Sequence, residues 1–354
     1  MRNGPYSGIE VKVHEYMKKI LKRVEISYEK EGIDTKNDPV LEIARYVINE
    51  MGPKGHFWRS KTLIATANAW KAPLRPSIAC GALLDTLHLG SLVIDDFQDN
   101  SESRRGLPAV HILYGKEMAP LITFSLITWV DKEMLKRKRR SRKISNRSVR
   151  ILDEIKDATD KAILGQGRDI GSRDSIKSID DCINFYELKS GSLYSAAMAI
   201  GAILGGAQEK TVNRLRNCGY KFGAYVVQIK NDLCDVFADP EKLGKPAHED
   251  IKRKNILSFI NPKEAMDLSE SSKKEVINEL YEICGSRDIG DLTDLLGYIA
   301  QEQNALIKEG LEKYLAQKAE NPKIEEEINQ QPEKPQPFNT SLDSYINNSP
   351  DYVI

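Results

Sequence analysis

A long, largely apolar run, Ala79 to Ile94, ends abruptly on Asp95-Asp96-Phe97-Gln98-Asp99. On a helix, residues i and i+4 lie on one face, so Asp95 and Asp99 project together with Asp96 beside them. Three carboxylates this close repel one another and are costly to bury unless cations neutralise them. A solvated acidic helix end is the plain alternative, but the helix leading in is too apolar for a solvated face. The pattern points to a hard-cation site of the kind Mg²⁺ favours, with a few carboxylate oxygens and a shell completed by water and phosphate. Asn231-Asp232-Leu233-Cys234-Asp235 repeats the arrangement after another apolar run, Phe222 to Ile229. Two such helix ends suggest acidic patches facing each other across a cavity, with Mg²⁺ between them and a diphosphate below.

The chain has 354 residues, enough for one large domain or two ordinary ones. Its 52 basic and 52 acidic residues balance, so the bulk charge gives no sign of a nucleic-acid partner. Cys80, Cys182, Cys218, Cys234 and Cys284 are scattered, with neither a CxxC pair nor a zinc spacing. They read as reduced thiols of a cytoplasmic protein. Met1 to Gly8 is polar, unlike a signal peptide, and no apolar run reaches roughly 18–20 residues without polar interruption.

Apolar spacings of three and four predict helices throughout. They run over Ile9–Glu31, after Asp38-Pro39, over Phe57–Lys71, from Pro76 into the first acidic motif, and over Val110–Val130 with Pro120 starting or kinking a segment. More follow over Val149–Ile170, Asp181–Leu204, Val212–Val236, Lys273–Cys284 and Asp291–Gln317. No alternating strand pattern stands out. The expected fold is all-α, a single large helical bundle around a central cavity over residues 1–320. Residues 321–354, rich in Asn, Gln, Glu and Pro, read as a disordered tail, because so few apolar residues cannot offset ordering entropy. Lys132 to Lys143, strongly basic, reads as a solvated loop between helices, with contact to an anionic membrane surface as the alternative.

From roughly Gly55 to Leu257 the motifs resemble the trans-isoprenyl diphosphate synthases (polyprenyl synthetases), most of all the geranylgeranyl-forming branch. The residues that carry the resemblance are Asp95-Asp96-x-x-Asp99 followed by Arg104-Arg105-Gly106, with His88 seven residues before the first aspartate. They continue with Gly165-Gln166-x-x-Asp169, Lys189-Ser190, Gln228 ahead of the second acidic motif, Gly244-Lys245 after it, and Lys254. Alone, each has a plainer reading: an arginine as a solvated charge, His88 as a core histidine, Lys189 as a surface lysine. Their joint order gives the weight.

The resemblance implies Mg²⁺ held by Asp95, Asp96, Asp99, Asn231, Asp232 and Asp235, and an allylic diphosphate held by Arg104, Lys189, Gln228, Lys245 and Lys254. Asp95, Asp96, Asp99, Lys189, Asp232 and Asp235 would carry the catalysis. Isopentenyl diphosphate would lie on His56, Arg59, His88 and Arg105. The allylic C–O bond would ionise, the isopentenyl double bond would attack the cation, and the product would be five carbons longer. A homodimer is also implied.

Three departures stand out. His56 replaces the lysine of a Gly-Lys-x-x-Arg pattern in Gly55-His56-Phe57-Trp58-Arg59, although Lys54 lies nearby. Asn231 replaces the first aspartate of the second motif, and Asp250 to Lys254 is one residue short of the usual spacing. A class I terpene cyclase fits Asn231-Asp232-x-x-Asp235-x-x-x-Asp239 but has little use for Arg59, His88 and Arg105. A non-catalytic regulatory subunit fits His56 but not two intact acidic motifs. Ser91 and Gly90, four and five residues before Asp95, would form the floor of the tail pocket. Their small size implies a product of about C20 or longer, unless Leu87 or another helix sets the floor.

Overall fold

In the computed structural model, residues 6–140, 146–171, 176–238 and 254–320 are described, without the side chains of 136–140, 315 and 317–320. α1 (Ile9–Lys30) buries Val13, Met17, Ile20, Leu21 and Val24 on one stripe. α2 (Pro39–Arg45) begins where Asp38 Oδ1 accepts from the Leu41 amide at 2.9 Å, with proline in the first helical position. It continues through a π-turn (Tyr46–Met51) and a short 3₁₀ turn (Gly52–Lys54).

α3 (Trp58–Ala69) leads to α4 (Leu74–Asp99), the helix that carries the first acidic motif. α4 starts two residues ahead of the expected Pro76, which lies in the first turn, where a missing amide proton costs nothing. It stops after Asp99 because Asn100 takes a left-handed cap at φ 54°. By length and composition alone α4 could cross a membrane, but Asp85 and His88 interrupt it and most of it is buried inside the protein.

A hairpin absent from the sequence reading follows. Strands β1 (Ser103–Arg104) and β2 (Leu107–Pro108) pair antiparallel, and both turn residues, Arg105 (φ 57°) and Gly106 (φ 69°), have positive φ. So short a ribbon leaves no alternation to detect.

α5 (Val110–Tyr114), α6 (Met118–Arg140) and α7 (Asn146–Gly171) come next. The basic stretch expected as a loop is therefore helical as far as Arg140: lysine and arginine are good helix formers, and nothing there breaks the helix. α8 (Ile179–Tyr186) and α9 (Ser192–Leu204) are joined by a π-turn, Glu187–Gly191. α10 (Glu209–Lys221) and α11 (Ile229–Phe237) are joined by another, Phe222–Gln228. α12 (Pro262–Cys284) and α13 (Gly290–Glu320) close the described chain. The architecture is all-α apart from the hairpin.

Every residue of α9 is buried, as its small and apolar sequence requires, and α3, α7 and α10 pack around it. α4 packs on α1, α3 and α6. A smaller apolar cluster, including Ile183, Tyr186, Leu233 and Ile307, sits behind α11. Lys230, fully buried, donates to Glu270 at 2.7 Å and to the Ala300 carbonyl at 3.2 Å, tying α11 to α12 and α13. The sequence readings at Lys136–Lys143, Asp239, Gly244-Lys245 and Asp250, and the tail from 321, concern backbone or side chains outside the described residues.

Candidate active site

α4, α7, the two later π-turns and α13 enclose a cavity of about 570 Å³, within the usual size of small-molecule sites. Close backbone approach draws its walls together. A Cβ on Gly165 of α7 would lie 2.5 Å from the Lys189 amide nitrogen, so only glycine lets α7 reach the first π-turn. A Cβ on Gly223 would likewise lie only 2.6 Å from Gly191 Cα, where the two π-turns cross. π-Turns often mark functional sites. Here they turn Lys189 and Gln228 into the cavity.

Asp95 is the centre of one group. Its Oδ1 accepts from Gln166 Nε2 at 2.9 Å and Lys189 Nζ at 3.1 Å, while Arg104 Nη2 lies 3.8 Å from Oδ2. Burial works against its charge. Lys189 and Arg104, with the hydrogen bonds from Lys189 and Gln166, outweigh it and hold the carboxyl well below the usual range. Lys189 also holds the buried Asp169.

The remaining expected ligands are distributed differently. Asp96 is fully buried behind the cavity wall and accepts from Arg104 Nε at 2.7 Å. Asp232 is buried under Tyr186 and accepts from Gln228 Nε2 at 3.0 Å, and Asp235 is fully buried. Of the oxygen donors in the two clusters, Asp95 on α4 and Asn231 on α11 line the cavity, with Cys234 beside the latter, whereas Asp99, half-buried one turn beyond Asp95, does not. Asn231 Oδ1 accepts from Gln303 Nε2 at 2.8 Å. No group of three or more acidic, histidine or cysteine side chains poised to hold a metal is found among the described residues. Lys254 is likewise turned away, donating to the Ile176 carbonyl at 3.1 Å. Lys245 lies outside the described residues.

A second group of basic side chains lines the same cavity. Arg59, His88 and Arg105 come together there, with Lys54 and His56 at the mouth. Arg105 lies over Gly55, where a Cβ would meet its guanidinium at 2.6 Å, and donates to the Met51 carbonyl at 2.9 Å. Burial, then Arg104 and Arg59, push it down to about 10 against the pull of Asp85. Burial and the same three arginines hold His88 neutral, with Nδ1 3.3 Å from Ser91 Oγ. Cations that depress one another in this way favour a polyanion. His56 stacks on Trp58 and sits 3.4 Å from Glu302.

Asp85 escaped the sequence reading. It is buried between Arg59 and Arg105, accepts from Ser60, and is pushed up to about 6 by burial. A carboxylate inside so apolar a run was the available signal. Tyr194, Glu302 and Gln303 were also missed, since contact with them depends on packing of distant segments.

Of the two floor residues, Ser91 lines the cavity and Gly90 does not. Gly90 faces α6, where a Cβ would rest at ordinary contact distance, 3.7 Å, from Leu126 and Thr123. Leu87, Thr123 and Ile127 extend the apolar wall around Ser91.

A helical bundle in which one cavity holds two groups of basic side chains and facing oxygen donors suits proteins that handle diphosphates. Residues 38–299 match the polyprenyl synthetase family model, and the chain belongs to that family. It is 25% identical over 257 residues to a short chain isoprenyl diphosphate synthase of Methanocaldococcus jannaschii, covering 72% of this chain and 74% of that one. It is 29% identical to a geranylgeranyl diphosphate synthase of Methanosarcina mazei, covering 79% and 84%. Among solved structures, a polyprenyl synthase from Caulobacter crescentus complexed with calcium and isoprenyl diphosphate superposes with a TM-score of 0.66 at 18% identity, covering 86% and 98%. That likeness supports the fold.

Proposed function

We propose that the chain condenses isopentenyl diphosphate with an allylic prenyl diphosphate to give a longer trans-prenyl diphosphate, geranylgeranyl diphosphate or longer. One observation carries this reading. A single cavity holds two separate cationic stations, Lys189 with Arg104 beside Asp95, and Arg59 with His88 and Arg105, joined by apolar wall. Two anionic head groups can thus be bound at once while their tails meet.

The donor chemistry fits Mg²⁺. Asp95 and Asn231 would hold it with hard oxygens from α4 and α11, and water and diphosphate would fill the shell, as suits an ion that binds through one or two carboxylates. Such an ion would supply charge neutralisation at the departing diphosphate. Lys189 and Arg104 sit where the allylic C–O bond breaks and stabilise the charge that develops there. Arg59, His88 and Arg105 hold isopentenyl diphosphate so that its double bond faces the allylic carbon. Ile127 and Leu193 help exclude water, which would otherwise trap the cation.

Leu121 and Phe124 on α6 and Ile163 and Leu164 on α7 are exposed apolar side chains, Phe124 at 65%. They support a homodimer through this face; a monomer in sedimentation at micromolar concentration would remove that reading. The five cysteines are buried free thiols, which supports a reducing compartment, the cytoplasm.

The test is product analysis with Mg²⁺, offering geranyl or farnesyl diphosphate with and without isopentenyl diphosphate. Longer prenyl diphosphates that appear only with isopentenyl diphosphate support the reading. Hydrocarbon or alcohol formed without it moves the assignment to a cyclase, and no turnover moves it to a regulatory subunit.

A further inference from the structure

The isopentenyl station contains a polar group that the reading above leaves unused. Tyr194 of α9 is fully buried, yet it lines the cavity. Its hydroxyl has no hydrogen-bond partner among the described residues, and neither has the buried Nε of Arg59. The Arg59 guanidinium carbon lies 5.2 Å over the Tyr194 ring. Phe222 holds the other side of that ring edge-on, at 5.4 Å between centroids. Asp85 belongs to the same group and acts electrostatically on both Arg59 and Tyr194.

Buried hydroxyls are nearly always bonded, and one that is not calls for a ligand, water or ion. The neighbours identify the ligand's charge. Stacking engages the face of the Arg59 guanidinium and leaves its N–H edge for an anion. Burial pushes the Tyr194 hydroxyl up to about 12, so it keeps its proton at neutral pH and has a donor to offer an anionic acceptor.

We propose that Tyr194 is a further binding residue of the isopentenyl station, its hydroxyl donating to the diphosphate that Arg59 grips. This rests on the two-station reading and goes beyond it: the hydroxyl supplies a donor to a station that has His56 in place of a lysine. Its rigid ring also keeps Arg59 oriented.

The test compares Tyr194→Phe, which keeps the stacked ring and loses only the hydroxyl, with Tyr194→Leu, which loses both. Isopentenyl diphosphate binding is measured by calorimetry, and KM is measured for each substrate. A hydrogen bond to a charged group predicts a roughly ten-fold weaker isopentenyl diphosphate affinity in Tyr194→Phe. The allylic KM should move far less. The unliganded variant should melt no lower than the parent, since a buried unpartnered hydroxyl has been removed. Tyr194→Leu should weaken isopentenyl diphosphate further.

If Tyr194→Phe binds isopentenyl diphosphate like the parent, the proposal is overturned, whatever Tyr194→Leu does, because the ring alone then suffices. If both KM values rise together, the hydroxyl serves the cavity at large and the proposal also fails. A parent that shows no elongation at all would instead count against the two-station reading.

Discussion

His56→Lys should strengthen the isopentenyl station. An ammonium 4 Å from a phosphate oxygen contributes about 1 kcal/mol in a water-like medium and about 4 kcal/mol near a protein surface. His56 is 65% exposed at the side chain, which favours the lower figure. Glu302, 3.4 Å from the imidazole, would also draw on a new ammonium, and Lys54 already lines the same mouth. The net expectation is at most about 1 kcal/mol, up to a roughly five-fold lower KM for isopentenyl diphosphate. Initial rates at pH 8 with saturating allylic substrate measure it, and adding Glu302→Gln should enlarge the effect by removing the competitor. The pH dependence supplies the sign. Desolvation lowers the His56 pKa despite Glu302, with Arg105 and Lys61 adding to the shift, so the imidazole gains its charge only below the ordinary histidine range. As pH falls below that range the parent should approach the lysine variant, and the ratio of their KM values should shrink. An unchanged KM in both variants at pH 8, or a ratio that ignores pH, would show that residue 56 does not face the diphosphate.

Three other perturbations separate the parts of the site. Asp85→Asn should stabilise the unliganded protein at pH 7.5: a carboxyl at about 6 when folded and 3.8 unfolded costs on the order of 3 kcal/mol once pH has risen through that window. The gain should shrink as pH falls from 6 towards 4, and a melting temperature lower than the parent's at pH 7.5 would contradict this account. Lys189→Met should lower kcat by roughly two to three orders of magnitude, as expected for loss of charge at a leaving group; a loss below ten-fold in steady-state rates would move the allylic diphosphate elsewhere. Ser91→Phe should shorten the product because Ser91 lines the cavity, whereas Gly90→Ala should leave the product spectrum unchanged because its new methyl meets Leu126 and Thr123. Chromatography of the prenyl alcohols after dephosphorylation reads both, and an unchanged spectrum in Ser91→Phe would put the floor at another wall.

The difference between Gly90 and Ser91 shows what the sequence carries and what it withholds. Neighbours on a helix differ by about 100° in direction, so a motif tells which stretch reaches the site and not which of its residues enters it. Asp95 and Asn231 face the cavity, and Asp96, Asp232 and Asp235, read from the same motifs, are turned into the protein. The helices were legible where burying one face forces a period of 3.6, as in α1; α9, buried on every side, carries no such face and was read from its small, apolar composition. The hairpin was not legible, yet it decides how adjacent arginines divide. With Arg105 and Gly106 both at positive φ, Arg104 turns to Asp95 and Asp96 on one side while Arg105 crosses to Met51 and Gly55 on the other. Two neighbouring charges can then serve two stations only because a two-residue turn holds one of them in a backbone region that side chains seldom adopt. Relaxing that turn would let both arginines crowd one head group, so the left-handed Arg105 is part of how the cavity keeps two diphosphates apart.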